Sequence, residues 1–234
     1  MVELNLLISV IITSYNVEKY IEGAINSVFN QTYKPIELIV VDGGSIDGTI
    51  NIVEKLAKKH NFIMEVSEDN YASGCRNIGV KLSHGGFIAF LDGDDEFYLD
   101  ALDILYNSLP HGYHMVYGDF YRVNPLGIII SEHISKPYHP RRLNGNCFIH
   151  CGALLMRREL IDIVGEWDES LRTSEDIDYW YRIALADCRV AYVNRFIMKH
   201  RVWGGSISGR GRFKMDLTNV MNKYYDLFKR RFKE

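Results

Sequence analysis

Over the first 92 residues, short apolar runs alternate with segments of helical period, and every run ends in polar residues. "LLISVIITSY" reads as a buried strand, and Asn16 as the cap of a helix in which Val17, Tyr20, Ile21, Ala24, Ile25 and Val28 share one face. "IELIVVDGG" is the next strand, followed by a helix from about Asp47 to His60 with Ile50, Val53, Leu56 and Ala57 as its stripe. "FIMEVSE" and "GGFIAFLD" are the third and fourth strands, separated by a helix around Arg76 to Leu82. This alternation implies an α/β fold in which a mostly parallel sheet is flanked by helices on both faces. Ligands of such sheets bind beyond the carboxyl ends of the strands.

Those ends are "TSYN" at 13–16, "DGGSIDG" at 42–48, "SED" at 67–69 and "DGDD" at 92–95. Turn and cap roles alone account for Asp42, Asp47 and Asp100. They account poorly for Asp92, Asp94 and Asp95, because three carboxylates this close raise one another's pKa unless a cation or a set of donors neutralises them. A divalent ion with oxygen ligands does so and leaves positions for phosphate. The chain lacks the G-x-x-x-x-G-K-[ST] phosphate loop, and no G-x-G-x-x-G follows the first strand, which counts against a dinucleotide enzyme.

The 234 residues carry a net charge of −3. Residues 210–234 hold eight Lys or Arg against three Asp or Glu, so the first 209 carry −8, which argues against nucleic acid as a partner. Cys75, Cys147, Cys151 and Cys188 form neither a paired framework nor a zinc set and read as free thiols of a reducing, cytoplasmic compartment. The N-terminus has Glu3 where a signal peptide carries positive charge, and no apolar run reaches the roughly 18–20 residues that span a bilayer.

In the middle, "MVYGDFYRV" and "GIIISEHI" read as two strands turned at "NPLG", and "SKPYHPRRLNGN" as a mobile loop over the site. Trp180, inside the period of "DIDYWYRIALA", is expected in the core. For His150, a polar contact to a bound ligand and a satisfied buried histidine both stand. In the tail, Phe213, Leu217, Val220, Met221, Tyr224, Leu227 and Phe228 recur at helical spacing beside Lys214, Lys223, Lys229, Arg230, Arg231 and Lys233. That pattern fits a helix packed on the domain, or one that docks peripherally on the inner face of an anionic membrane.

Three stretches in order, "SVIITSYNVEKYIEGAINSVFNQTYKPIELIVVDGGSIDGT", "CRNIGVKLSHGGFIAFLDGDDEF" and "GEWDESLRTSEDIDYWYRIA", resemble the family 2 glycosyltransferases of the GT-A fold. The resemblance runs to "GGSIS" and implies a GT-A-like domain over 1–209, with a nucleotide-sugar-binding half (1–95), an acceptor-binding half (96–209) and a basic helix over 210–234. It implies an inverting transfer from a UDP- or GDP-sugar to a saccharide or lipid-linked acceptor, with Mn²⁺ or Mg²⁺ on the diphosphate. By the same resemblance Thr13 and Tyr15 line the nucleoside pocket with Asp42 at its edge, and Arg76 lies near the base or diphosphate. Asp92 contacts the ribose side, and Asp94 with Asp95 ligates the metal. Asp176 is the general base, with Glu175 orienting the acceptor or the base. A transfer of this kind needs a carboxylate opposite the leaving group, as this assignment supplies.

Two departures stand out. Gly43 replaces a frequent aspartate, which leaves the donor base open, and Trp203 stands where many members carry a metal-binding histidine. His200, at an odd offset on a strand, is expected to face the other way, so a third protein ligand is not identified. Two other classes remain: a sugar-phosphate nucleotidyltransferase, which needs a Gly-rich basic loop after the first strand, and an inactive nucleotide-sugar scaffold, which needs no acidic pair.

Overall fold

The computed structural model describes residues 6–68, 71–143, 148–205 and 214–232. The first half runs β1 (Ile8–Ser14), α1 (Ile21–Phe29), β2 (Ile36–Asp42), α2 (Thr49–His60), β3 (Ile63–Val66), α3 (Ala72–Leu82) and β4 (Phe87–Asp92). All seven residues of β1 are buried, as a strand flanked and covered on both sides requires. Strands β3, β2, β1 and β4 are parallel neighbours, in register Ser14↔Asp42 and Thr13↔Asp92, so their polar ends lie along one edge.

The second half continues β5 (Glu96–Phe97), α4 (Ala101–Ser108), β6 (Met115–Val123), β7 (Ile129–His133), β8 (Leu154–Arg157), α5 (Glu159–Val164), α6 (Glu175–Leu185), β9 (Val190–Arg201) and α7 (Lys214–Arg231). It extends the same sheet as β4-β8-β6-β9-β5, with β7 on β6. Here the pairing is mixed: β8 is antiparallel to β4 and β6, β9 is parallel to β6, and β5 is antiparallel to β9. The β6–β7 turn forms as expected, with Gly127 at φ +79° and the Asn124 side chain accepting the Leu126 and Ile128 amides at 3.0 Å each.

Period-two alternation divides the core between the faces of the sheet. Val10 and Ile12 point toward α1, whereas Ile11, Ile39 and Val41 join Trp180 and Tyr224 on the other side. Trp180 is core, as expected. Cys75, Cys151 and Cys188 are free and buried, and Cys147 lies outside the described residues.

Several boundaries differ from the sequence reading. Asn16 is not the cap of α1: it takes φ +53°, a conformation asparagine tolerates, and its side chain accepts the Ile46 amide at 2.9 Å. Helix α3 begins four residues earlier than expected, because the small residues Ser73 and Gly74 hide its period while letting it pack close to the sheet. The loop after β7 is pinned where it leaves the strand: the buried Ser135 hydroxyl donates to Gly118 and Phe148 carbonyls at 3.2 and 2.9 Å. Its residues 144–147 lie outside the described ones.

Helix α7 uses its apolar stripe on the domain itself. Val220 and Tyr224 are buried, and Tyr224 and Phe228 lie on Tyr181 at ring distances of 5.1 and 4.7 Å. Phe213 of the expected stripe and Lys233 lie outside the described residues.

A Cβ on Gly79 would stand 2.3 Å from Ile11 Cγ2 across the α3–β1 contact. Gly79→Ala gains up to about 1 kcal/mol of helix propensity but forces the helix off β1, an overpacking that costs roughly 1–3 kcal/mol. The expected outcome is a lower melting temperature; an unchanged or raised one would contradict this packing.

Candidate active site

The strand ends first build a rigid floor. Asp42 is fully buried, and its carboxylate accepts the Ser14 hydroxyl at 2.7 Å, the Ser45 amide at 2.7 Å and the Ser45 hydroxyl at 2.8 Å. It therefore holds the 42–48 turn from beneath. Thr13, also buried, donates to Asp92 Oδ1 at 3.2 Å, while Tyr15 stands exposed at the rim.

The three carboxylates after β4 meet different partners. Asp92 receives Arg76 at 3.4 Å. Asp94 Oδ2 accepts the Trp203 indole N–H at 2.7 Å. Asp95, wholly buried, accepts the Arg201 amide at 2.7 Å on one oxygen and pairs with His200 Nδ1 at 3.2 Å on the other. The Arg201 guanidinium closes the loop by donating to the Asp94 carbonyl and to Glu96, both at 2.9 Å.

His200 thus belongs to the site, against the expectation from strand parity. Parity compares side chains along β9 alone. The β5–β9 pairing, Glu96 opposite Lys199, brings Asp95 alongside the strand end, where His200 and the Arg201 backbone both reach it.

Charge sorts these groups. Burial, then Asp95 and Asp92, push Asp94 up to about 7 against the relief given by Trp203 and His200. Burial pushes Asp92 the same way, but Arg76 and the two histidines hold it below its ordinary value. For His200 burial is outweighed by Asp95 and the pKa rises, while burial and His200 push His150 down to about 3.

Ligand atoms of Asp95, His150 and His200 lie within 4.8 Å of one another. His150 Nδ1, however, accepts the Gly152 amide at 3.0 Å, so in the neutral ring the hydrogen sits on Nε2 and no lone pair is offered there. That supports the reading of His150 as a satisfied buried histidine. Asp95 has a protein donor on each oxygen, which leaves each oxygen a further lone pair. Carboxylate oxygens such as those of Asp94 suit a hard ion such as Mg²⁺ or Mn²⁺.

On the facing side, α6 presents Glu175, Asp176 and Asp178 in its first turn, where the helix dipole favours ionised acids. Ser174 occupies the cap position but at φ +61°, and its hydroxyl makes no capping bond. Asp178 is fully buried, taking Arg182 at 2.8 Å, Lys223 at 2.8 Å and the Tyr224 hydroxyl at 2.7 Å, which anchors α6 to α7. Glu175 accepts Arg76 at 2.7 Å. Arg76 is itself buried, 4.9 Å from the Trp167 ring, so it bridges Asp92 and Glu175 from within and is not displayed toward a ligand. Asp176 is half-buried, with Oδ1 accepting the Ile177 amide at 2.8 Å.

Sequence reasoning missed Arg201 and Tyr20, whose ring lies 4.7 Å under the Arg201 guanidinium, and it missed Trp203 as a partner of Asp94. The available signal was an Arg-x-Trp pair, two residues apart on one face, directly before a Gly-Gly turn.

A group whose folded pKa is raised stabilises the fold at low pH and loses that contribution as pH rises through the folded value. For Asp94 the loss falls between about 4 and 7. In EDTA, Asp94→Asn should therefore raise the melting temperature more at pH 8 than at pH 5, as read by paired thermal melts. A gap that is equal at both pH values, or larger at pH 5, would contradict the crowding.

The sequence model of Glycosyl transferase family 2 matches residues 9–164. The chain is 31% identical over 211 residues to the Escherichia coli UDP-Glc:alpha-D-GlcNAc-diphosphoundecaprenol beta-1,3-glucosyltransferase WfgD, covering 89% of this chain and 81% of that one. It is 29% identical over 223 residues to the cholesterol galactosyltransferase of Borreliella burgdorferi, covering 86% of this chain but 62% of that protein's length. Staphylococcus aureus TarS in complex with UDP-GlcNAc shares the fold with a TM-score of 0.78 at 23% identity, over 95% of this chain and 66% of that one. A mannosyltransferase from Pyrobaculum calidifontis in complex with GDP-Man and Mn²⁺ gives 0.66 at 19% identity, over 85% and 58%. With two thirds of its residues inside the family match and the GT-A-like sheet described above, the chain belongs to glycosyl transferase family 2.

Proposed function

We propose that the protein is an inverting glycosyltransferase that moves a sugar from a nucleoside-diphosphate sugar to an acceptor hydroxyl. The carrying observation is the placement of the Asp92–Asp95 cluster opposite the acidic first turn of α6, with Arg76 bridging the two. In this reading the nucleoside lies against Thr13, Tyr15 and the 42–48 turn. A divalent ion bound by Asp94 supplies Lewis-acid neutralisation of the diphosphate. The bond from the anomeric carbon to phosphate oxygen breaks, its electron pair leaving on the diphosphate. The acceptor oxygen bonds to that carbon from the opposite face, and its proton passes to Asp176.

The role goes to Asp176, half-buried in the first turn of α6 at the position that the family resemblance assigns to the base. Glu175 then fixes the start of α6 relative to the donor side. The relatives named above support a UDP-sugar donor and a lipid-linked saccharide acceptor for this chain, and the GDP-Man complex keeps a GDP-sugar in the comparison. Among the described residues no helix is long and apolar enough to cross a membrane. Peripheral association would rest on the exposed cationic end of α7 with the exposed Leu227 beside it, since Val220, Tyr224 and Phe228 pack on the domain.

Asp176→Asn should lower kcat by roughly 10²- to 10⁴-fold with donor affinity nearly unchanged. Glu175→Gln, which loosens Arg76, should alter donor affinity and turnover together. Kinetics on the UDP- or GDP-sugar that most raises the melting temperature with Mn²⁺ test both variants. Near-parental turnover by Asp176→Asn would remove it as the base. For the membrane, the double change Lys229→Glu with Arg230→Glu should weaken sedimentation with anionic liposomes at low salt. Unchanged binding would exclude the tail.

A further inference from the structure

Of the three tryptophans, Trp167 and Trp180 are buried in the core, while Trp203 lies half-buried at the end of β9 with its only polar atom on Asp94. An indole can donate one hydrogen bond and accept none. At 2.7 Å that bond holds Oδ2. Among the described residues no donor reaches Oδ1, so the carboxylate is clamped with one oxygen turned to the site.

The ring is itself held on two sides. Tyr20 meets it edge-on at 5.4 Å, and the Gly205 backbone packs so close that a Cβ there would come within 2.0 Å of the ring. Tyr20 in turn lies under Arg201, which holds the Asp94 carbonyl. Backbone and side chain of Asp94 are thus fixed by two residues on the same face of one strand end.

We propose that Trp203 is a positioning residue for the cation-binding carboxylate: its indole N–H fixes Asp94 so that Oδ1 alone meets a divalent ion, and its ring senses the ion's arrival. This rests on the reading of Asp94 as a metal ligand. Groups that orient a ligand in this way typically account for 10- to 100-fold in metal affinity. A small octahedral ion accepts a carboxylate through one oxygen.

The test is Mn²⁺ binding by the full chain without donor or acceptor, followed by the electron-spin resonance of free Mn²⁺ and, in parallel, by tryptophan emission. The parent should bind Mn²⁺ with quenching of emission at the same midpoint. Trp203→Phe, which keeps a ring but removes the N–H, should bind about tenfold or more weakly and lose the quenching, although Trp167 and Trp180 remain. Gly205→Ala, which keeps the indole but displaces it, should weaken binding as well and serves if the first variant fails to fold. Parental Mn²⁺ affinity in a folded variant of either kind would overturn the role of Trp203 alone. Absence of Mn²⁺ binding by the parent would overturn the metal reading, and this proposal with it.

Discussion

Three carboxylates within four residues at the end of a buried strand set the terms for the rest of the molecule. Two unit charges about 4 Å apart repel by roughly 4 kcal/mol at the effective dielectric of a protein surface, against a typical total stability of about 5–15 kcal/mol. The fold answers each one from a different element: α3 sends Arg76 to Asp92, β9 sends His200 and a backbone amide to Asp95, and Trp203 reaches Asp94. The convergence of α3 and β9 on the end of β4 follows from that requirement as much as from apolar packing.

The two halves of the sheet divide the work. The parallel half places Thr13, Ser14, Asp42 and Asp92 in register along one edge, where hydrogen bonds among them make a stiff floor. The mixed half brings in groups from distant sequence. Arg76 and Glu175 are 99 residues apart, yet their ion pair at 2.7 Å joins the two halves. Because Arg76 is buried between Asp92 and Glu175, movement at one acid is felt at the other. A buried pair of this kind is costly to break from one side, since the remaining charge is left uncompensated.

Much of this was legible in the sequence. The first four strands, the acid-rich strand ends, the burial of Trp180 and the acidic start of α6 all follow from periodicity and strand-end logic. What escaped were features that tertiary contacts decide. Asn16 and Ser174 are both good cap residues by type, yet each takes a positive φ and caps nothing, because the chain must turn sharply there. Arg76 reads as a ligand-facing cation until its own burial and its two acidic partners are seen. His200 was excluded by counting along a single strand, whereas the site is assembled between strands. The α7 stripe was ambiguous by composition, and only its contacts with Tyr181 settle which surface it covers.

The histidine pair shows how environment assigns opposite roles to one residue type. The rings of His150 and His200 lie 4.5 Å apart, so both cannot readily be charged. Against burial, Asp95 raises the pKa of His200, while burial and His200 lower that of His150, whose Nδ1 accepts the Gly152 amide. Arg76 pairs with Asp92 and is shared with Glu175, and His200 pairs with Asp95. Among the described residues Asp94 has no ionic partner, and a neutral indole holds it. Burial, then Asp95 and Asp92, push its pKa up to about 7. A proton relieves it at low pH; in the proposed reaction a bound divalent ion would relieve it instead.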